Sequence, residues 1–427
     1  MSRWPKPAEG SWTEHYPELG TGPVSSEDSI SPEFYELERE AIFKTSWLNV
    51  GRVEELPRNG TYFTKELAAA GTSVIIARDM SGEIQAFHNI CRHRGNKLMW
   101  TDFPNEETRG SCRQFTCKYH RWSYELDGTL ATVPQEDEFF DFDRSTYGLV
   151  PVHVDVWNGF IFVNVADEPD QSLRDFLGPM VAKLDDYPFS DMSERYAYRA
   201  TVGSNWKLFM DAFQEFYHAP YLHGGQTPRK FTEMIQQFGF EAPYYEINGK
   251  HRVVSTGGVR GDEQPIDMIK PIEAKLRSGL FGPWEHAELS IVNEQDVPGV
   301  NPGDASPWGL DSYNLWPNFV ILIWAGGWYL TYHYWPTSVN THVFEANLYF
   351  VPAKNASERL AHELACVSFK EYGLQDANTL EATQKMLESG VITEYLLNDQ
   401  EVLCRHLHKE ARDAVEAYKS ELQEAKG

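Results

Sequence analysis

Two short stretches pair a cysteine with a histidine: Cys91 and His93 in CRHRG, and Cys117 and His120 in CKYHRW. Each loop offers one thiolate and one imidazole. This donor set suits either a zinc ion or a [2Fe–2S] cluster in which two Cys hold one iron and two His the other. Zinc sites of this composition usually group the sulfurs as C-x2-4-C and the histidines as H-x3-5-H, so mixed pairs favour the cluster. A lone pair of this kind would read better as a small buried hydrophobe beside a loop histidine. Two mixed pairs turn that balance round. A third cysteine, Cys112, is set aside, because its histidine would lie eight positions on and the short C-x2-H loop would be lost.

A second constellation runs from Asn205 to His223 in NWKLFMDAFQEFYHAPYLH. Asp211, Glu215 and His218 are spaced four and three apart, which places them on one face of a helix. His223 lies five beyond His218 and would face about 140° away on a regular helix. Pro220 is expected to end or kink that helix near Ala219 and so return His223 to its partner. Two neutral imidazoles and one carboxylate on a single face of a metal form the facial triad of Fe(II) oxygenases. An amphipathic helix with its polar side outward is the plainer alternative.

Together these stretches resemble the Rieske non-haem iron oxygenases, whose large subunits carry a C-x-H-R-G loop, a C-x2-H-G-W loop followed by D-G, and N-W-K ahead of [DE]-x2-H-x4-H. Two departures stand out. Arg121 occupies the place of a glycine, and the 23 residues between His93 and Cys117 exceed the usual gap, the extra length TDFPNEETRGSCR including Cys112. The disulfide that ties the cluster loops in respiratory-chain Rieske proteins would need cysteines at Asn96 and Tyr119, so the resemblance leaves Cys112 a free thiol. The resemblance implies that Cys91, His93, Cys117 and His120 hold a Rieske [2Fe–2S] cluster and that His218 and His223 bind a mononuclear Fe(II). It makes Glu215 a bridge between the cluster histidine of one subunit and His218 of the next, and gives Asp211 a supporting place near the iron. For the third ligand it points to a late helix, where Asp399 in LLNDQEVLCRH matches best and Glu394 and Glu401 are alternatives.

The resemblance further implies an oxygenase component that uses O2 and takes electrons from NAD(P)H through a separate reductase, with or without a ferredoxin. It implies a homotrimer or an α3β3 assembly with a small β subunit. The expected reaction is hydroxylation, foremost cis-dihydroxylation, of an aromatic or other small hydrophobic substrate. The alternative is monooxygenation or demethylation of a carboxylated or quaternary-amine substrate. From other classes come a Rieske electron carrier without catalysis, and a zinc-stabilised binding module.

The elements that must position these residues give an α+β fold class. Residues 1–44 read as a Pro/Gly-rich arm and a helix, SISPEFYELEREAIFKTSW, that packs on the catalytic domain. Residues 45–165 alternate apolar and polar in short runs, a small antiparallel β domain with the Cys/His pairs on its loops. Residues 166–427 form a helix-grip catalytic domain, an antiparallel sheet plus helices. Its strands are expected at RYAYRATVGS, NFVILIW, WYLTYHYWP and HVFEANLYFV, and its closing helices at ASERLAHELACVSFKEYG and EVLCRHLHKEARDAVEAYKSELQEA. Apolar side chains around the metal helix (Phe209, Met210, Phe213, Phe216) and in the sheet (Trp324, Trp328, Tyr332) are candidates for a substrate lining or ordinary core. The 427 residues, 41% hydrophobic, are ample for two or three structural units, and a formal charge of −25 argues against a nucleic-acid partner. Five cysteines are too few and too uneven for a disulfide framework. No apolar run suggests a membrane span or signal peptide, so a cytoplasmic protein is expected. No G-x-G-x-x-G segment opens a helix, which leaves the nicotinamide cofactor to a partner.

Overall fold

A computed structural model of the chain describes residues 12–224, 242–257, 271–279, 297–306, 308–325 and 327–425, so the first eleven residues of the expected arm lie outside it. The chain divides into two units: Arg39–Phe176, and the segment up to Glu38 together with Leu177 onward. Among the described residues no helix is long and apolar enough to cross a membrane.

The first unit is built from short antiparallel strands, as the alternation of apolar and polar residues requires. One sheet has the order β4 (Ile84–His88), β3 (Thr72–Arg78), β2 (Thr61–Leu67), β5 (Arg109–Ser111). A second joins β1 (Leu48–Arg52) to β10 (Phe160–Asn164) and β9 (His153–Trp157). A third is the small meander β6 (Phe115–Thr116), β7 (Ser123–Tyr124), β8 (Leu130–Thr132). The stretch TDFPNEETRGSCR is therefore more than a longer loop: its second half supplies the edge strand β5, paired with Thr61–Phe63. Cys91 and Cys117 are buried in one cluster with Ile75, Phe87, Phe115, Trp122 and Tyr124.

The second unit is a seven-stranded antiparallel sheet clasping long helices. Its order is β11 (Glu194–Val202), β17 (Thr341–Phe350), β16 (Trp328–Ser338), β15 (Phe319–Trp324), β14 (Trp308–Leu315), β13 (His251–Gly257), β12 (Tyr244–Asn248). The four strands expected from sequence are all present. On β16, Tyr332 and Tyr334 point to one side, as the two-residue period demands. There they meet Phe213 and Phe209, with ring centroids 4.6 Å and 5.5 Å apart. Trp324 and Trp328 meet Phe369 edge-on at 5.1 Å and 5.0 Å. These rings tie the sheet to α6 (Ala356–Leu387) and to the segment carrying Phe209 and Phe213; the last helix is α7 (Val402–Glu424).

Helix α6 departs from expectation in length. The sequence suggested an end at Gly373, a residue type that often terminates helices. Instead the helix runs 32 residues, through Gly373 to Leu387. Gly373 is buried against the sheet, where a methyl would lie 3.6 Å from both the Phe344 ring and the Tyr198 hydroxyl. A small residue there lets helix and sheet approach closely, which explains a glycine inside a helix.

Candidate metal centres

The two Cys/His loops meet at one end of the first unit. His93 and His120 have ring centroids 4.6 Å apart, and His93 stacks on Trp122 at 5.0 Å. Cys91 and Cys117 are 2% and 1% exposed. Burial pushes the Cys91 thiol up, although the Tyr124 hydroxyl, 3.4 Å from Cys91 Sγ, favours its thiolate. Two thiolates in an apolar pocket need a cation to be stable there. His93 Nδ1 is buried without a hydrogen-bond partner among the described residues. Two sulfurs, two imidazoles and an orphaned ring nitrogen fit a [2Fe–2S] cluster held in the Rieske manner.

Backbone hydrogen bonds shape each loop. Cys91 N donates to Asn96 O at 2.8 Å and Gly95 N to Cys91 O at 3.0 Å. In the second loop Cys117 N donates to Trp122 O at 2.9 Å and Arg121 N to Cys117 O at 3.1 Å. Arg121 has φ +63°, left-handed geometry that a glycine adopts freely and other residues at a cost. This is the physical reason a glycine suits that position. Cys112 is a free, half-buried thiol pushed up to about 11 by burial.

The second constellation forms a site by a different route from the one its spacing suggested. Helix α4 (Trp206–Asp211), capped by Asn205, stops seven residues before His218. Glu215 and His218 lie in an irregular turn. Pro220 sits in the first turn of α5 (Ala219–Leu222), where its missing N–H is no loss; it starts a helix and does not end one. The Phe213 carbonyl left by the break accepts from Ser312 Oγ at 2.7 Å. His218 and His223 then flank α5, their rings 5.2 Å apart.

The carboxylate that joins them is Asp376, on the part of α6 beyond Gly373. His218, His223 and Asp376 each offer a ligand atom, all within 4.8 Å of one another. Asp376 Oδ1 lies 3.2 Å from His223 Nε2 and 3.7 Å from His218 Nε2, and it is buried with no hydrogen-bond partner among the described residues. Each imidazole is held through its other nitrogen: His218 Nδ1 by Glu215 Oε1 at 2.6 Å, His223 Nδ1 by Gln375 Oε1 at 2.7 Å. Both Nε2 atoms therefore converge on an orphaned carboxylate oxygen, a donor set that fits a mononuclear iron with open positions.

Three sequence expectations need correction. Asp399 is not at this site; its two carboxylate oxygens accept from Trp12 N at 3.1 Å and Thr13 N at 2.8 Å, capping the helix α1 (Trp12–His15). Asp211, expected in a supporting place near the iron, instead has its carboxylate on His408 Nε2 at 3.0 Å. Asp211, Glu215 and His218 do not share a helix face, since the helix ends first. Of the other acids, Glu394 is exposed on a short strand and Glu401 accepts from Asn398 N at 2.6 Å. Asp376 was missed because the resemblance pointed to the start of a late helix at LLNDQEVLCRH, whereas Asp376 lies within the preceding helix α6; helical spacing continued past Gly373 was the available signal.

Residues 46–153 match the Rieske [2Fe-2S] domain, and residues 189–417, more than half of the chain, match the ring hydroxylating alpha subunit (catalytic domain). The chain belongs to the Rieske oxygenase large subunits. Within that family it is similar to the glycine betaine monooxygenase oxygenase subunit of Chromohalobacter salexigens, 38% identical over 209 residues, which are 48% of this chain and 43% of the relative. The choline monooxygenase of Arabidopsis thaliana chloroplasts is 29% identical over 276 residues, 61% of this chain and 62% of the relative. The match thus spans less than two thirds of either relative. In fold, the chain resembles the crystal structure of a quaternary ammonium Rieske monooxygenase at a TM-score of 0.71 and 18% identity, over 96% of this chain and 99% of that one. Rieske oxygenase large subunits carry a [2Fe–2S] cluster and a mononuclear iron, and the donor sets found here fit both.

Proposed function

We propose that the chain is the oxygenase component of a Rieske monooxygenase acting on a quaternary-ammonium substrate. The observation that carries the oxygenase reading is the convergence of His218, His223 and Asp376 within 4.8 Å, separate from the Cys/His cluster site. Monooxygenation in place of the expected cis-dihydroxylation of an aromatic ring is supported by relatives described as glycine betaine and choline monooxygenases. In such a reaction one C–H bond becomes C–OH, the second oxygen atom of O2 leaves as water, and NAD(P)H supplies the two electrons through a partner reductase.

When bound, the iron supplies a site where O2 and substrate meet, and the cluster supplies one-electron storage. This chain's residues do the rest. Glu215 Oε1 accepts the His218 Nδ1 proton and so orients that ring; in a trimer the same carboxylate would meet a neighbouring subunit's cluster histidine. Burial, with the Asp376 carboxylate contributing, raises the phenols of Tyr198, Tyr332 and Tyr334, which stay neutral near the centre. Tyr372, 5.0 Å from the His223 ring, places an aromatic face beside the site. A cation without hydrogen-bond donors is recognised by such faces through cation–π attraction.

The test supplies the purified chain with a reductase, NADH and labelled dioxygen, and offers choline, glycine betaine, carnitine and a set of aromatic hydrocarbons. The expected result is one labelled atom in a hydroxylated or demethylated amine product. A cis-diol of an aromatic ring carrying both labelled atoms would overturn the proposal.

A further inference from the structure

Gln375 immediately precedes Asp376 on α6, and its Oε1 lies 2.7 Å from His223 Nδ1. His223 is only 9% exposed. A neutral imidazole carries a single N–H, so the nitrogen facing the metal position is lone-pair donor only when the proton sits on the other. His223 Nε2 and Asp376 Oδ1 lie 3.2 Å apart, and a metal ion held by both would require the imidazole proton on Nδ1, where the amide oxygen accepts it. The same requirement orients the amide, because its NH2 would oppose an N–H.

We propose that Gln375 is a positioning residue of the iron site. By accepting the Nδ1 proton of His223 it fixes the tautomer and ring direction, so that one turn of α6 supplies both the carboxylate and the support for the second histidine. The two histidines are thereby held unequally. His218 leans on the anionic Glu215 at 2.6 Å, His223 on a neutral amide. A carboxylate partner draws the Nδ1 proton and makes its imidazole the more basic ligand. Pro220 sets the path of the chain between the two rings, but Gln375 sets how the second ring is turned.

This inference rests on His218, His223 and Asp376 forming the iron site, and the experiment separates the two claims. The full chain with its cluster intact, as judged by visible absorption, is freed of mononuclear metal and titrated with Co(II), followed by the cobalt d–d bands. His223→Ala and Asp376→Ala should abolish binding; if both bind Co(II) like the parent, the site assignment itself fails. Given that loss, Gln375→Leu should weaken Co(II) binding about 10–100-fold and alter the band positions, with the cluster spectrum unchanged. Gln375→Glu keeps an acceptor at the same reach and should bind at least as tightly as the parent. Gln375→Asn, one methylene short, should behave like Gln375→Leu and replaces it should that variant fail to accumulate. Parent-like binding by the Leu or Asn variant, or a Glu variant as weak as either, overturns the role of Gln375.

Discussion

At the scale of single residues, the difference between Asp376 and Asp399 decides the metal assignment. Asp376 brings a buried, unpartnered oxygen to two histidines, whereas both oxygens of Asp399 are taken by backbone N–H groups of α1. Asp399→Asn should keep the metal content and activity while lowering stability by about 1 kcal/mol, the usual effect of weakening a helix cap, read from denaturant unfolding. A loss of iron in that variant would contradict the assignment. That the two Cys/His loops come together was legible in the sequence, because short C-x-H and C-x2-H spacings leave a loop few ways to fold. Arg121 was legible as an oddity but its meaning was not, since φ +63° is a backbone property that no residue type announces. Arg121→Gly should leave the cluster's visible spectrum in place and stabilise its loop by about 1 kcal/mol, less the glycine's own entropic penalty. A destabilised variant would mean that the guanidinium makes a contact worth more than the strain.

At the scale of elements, helix α7 is locked to the metal-bearing segment by a buried ionic chain. Asp28 Oδ2 lies 2.9 Å from His408 Nδ1, and His408 Nε2 lies 3.0 Å from Asp211 Oδ2 and 3.1 Å from the Tyr395 hydroxyl, with Arg412 2.9 Å from Asp28. Burial alone would lower the His408 imidazole, but the Asp28 and Asp211 carboxylates outweigh it and hold it at about 9. Burial likewise opposes the Asp28 charge, yet His408 foremost, then Lys207 and Arg412, bring it down to about 2. The folded imidazole thus keeps its proton above the unfolded value of ~6.5. Its stabilisation is complete below ~6.5 and disappears as pH rises to about 9, on the order of 3 kcal/mol. Unfolding midpoints measured from pH 6 to 9.5 should fall over that window, and His408→Gln should flatten the fall; an unchanged slope would contradict it. The helix α3 (Pro32–Glu38) is joined to α4 by Glu38 Oε1 and Lys207 Nζ, 2.5 Å apart and fully buried. Glu38→Ala alone should cost about 3–5 kcal/mol by leaving the ammonium unpaired, whereas Glu38→Leu with Lys207→Met should come close to the parent in thermal unfolding. Equal losses in the single and double variants would show that packing, and not charge, dominates there. Element types were mostly readable from periodicity. Their ends were not, because Gly373 and Pro220 act through what they touch and where in a turn they fall.

At the scale of the whole molecule, the chain joins two kinds of iron chemistry in two separately folded units, each with its own core. The fold class and both metal motifs were readable because each metal imposes short-range spacing on its ligands. The carboxylate that joins His218 and His223 was not, since Asp376 is 153 residues beyond His223 and only the closing of α6 onto the sheet brings them together. The substrate class proposed here departs from the apolar ring first expected, because aromatic side chains suggest an apolar guest, yet their faces serve a quaternary cation equally well. The account stands most directly on metal and sulfide content. The purified parent should hold about three irons and about two acid-labile sulfides per chain, and Asp376→Ala about two of each, with the cluster's electron paramagnetic resonance unchanged. An Asp376→Ala protein that keeps its full iron, or loses its sulfide with it, would contradict the two-centre account.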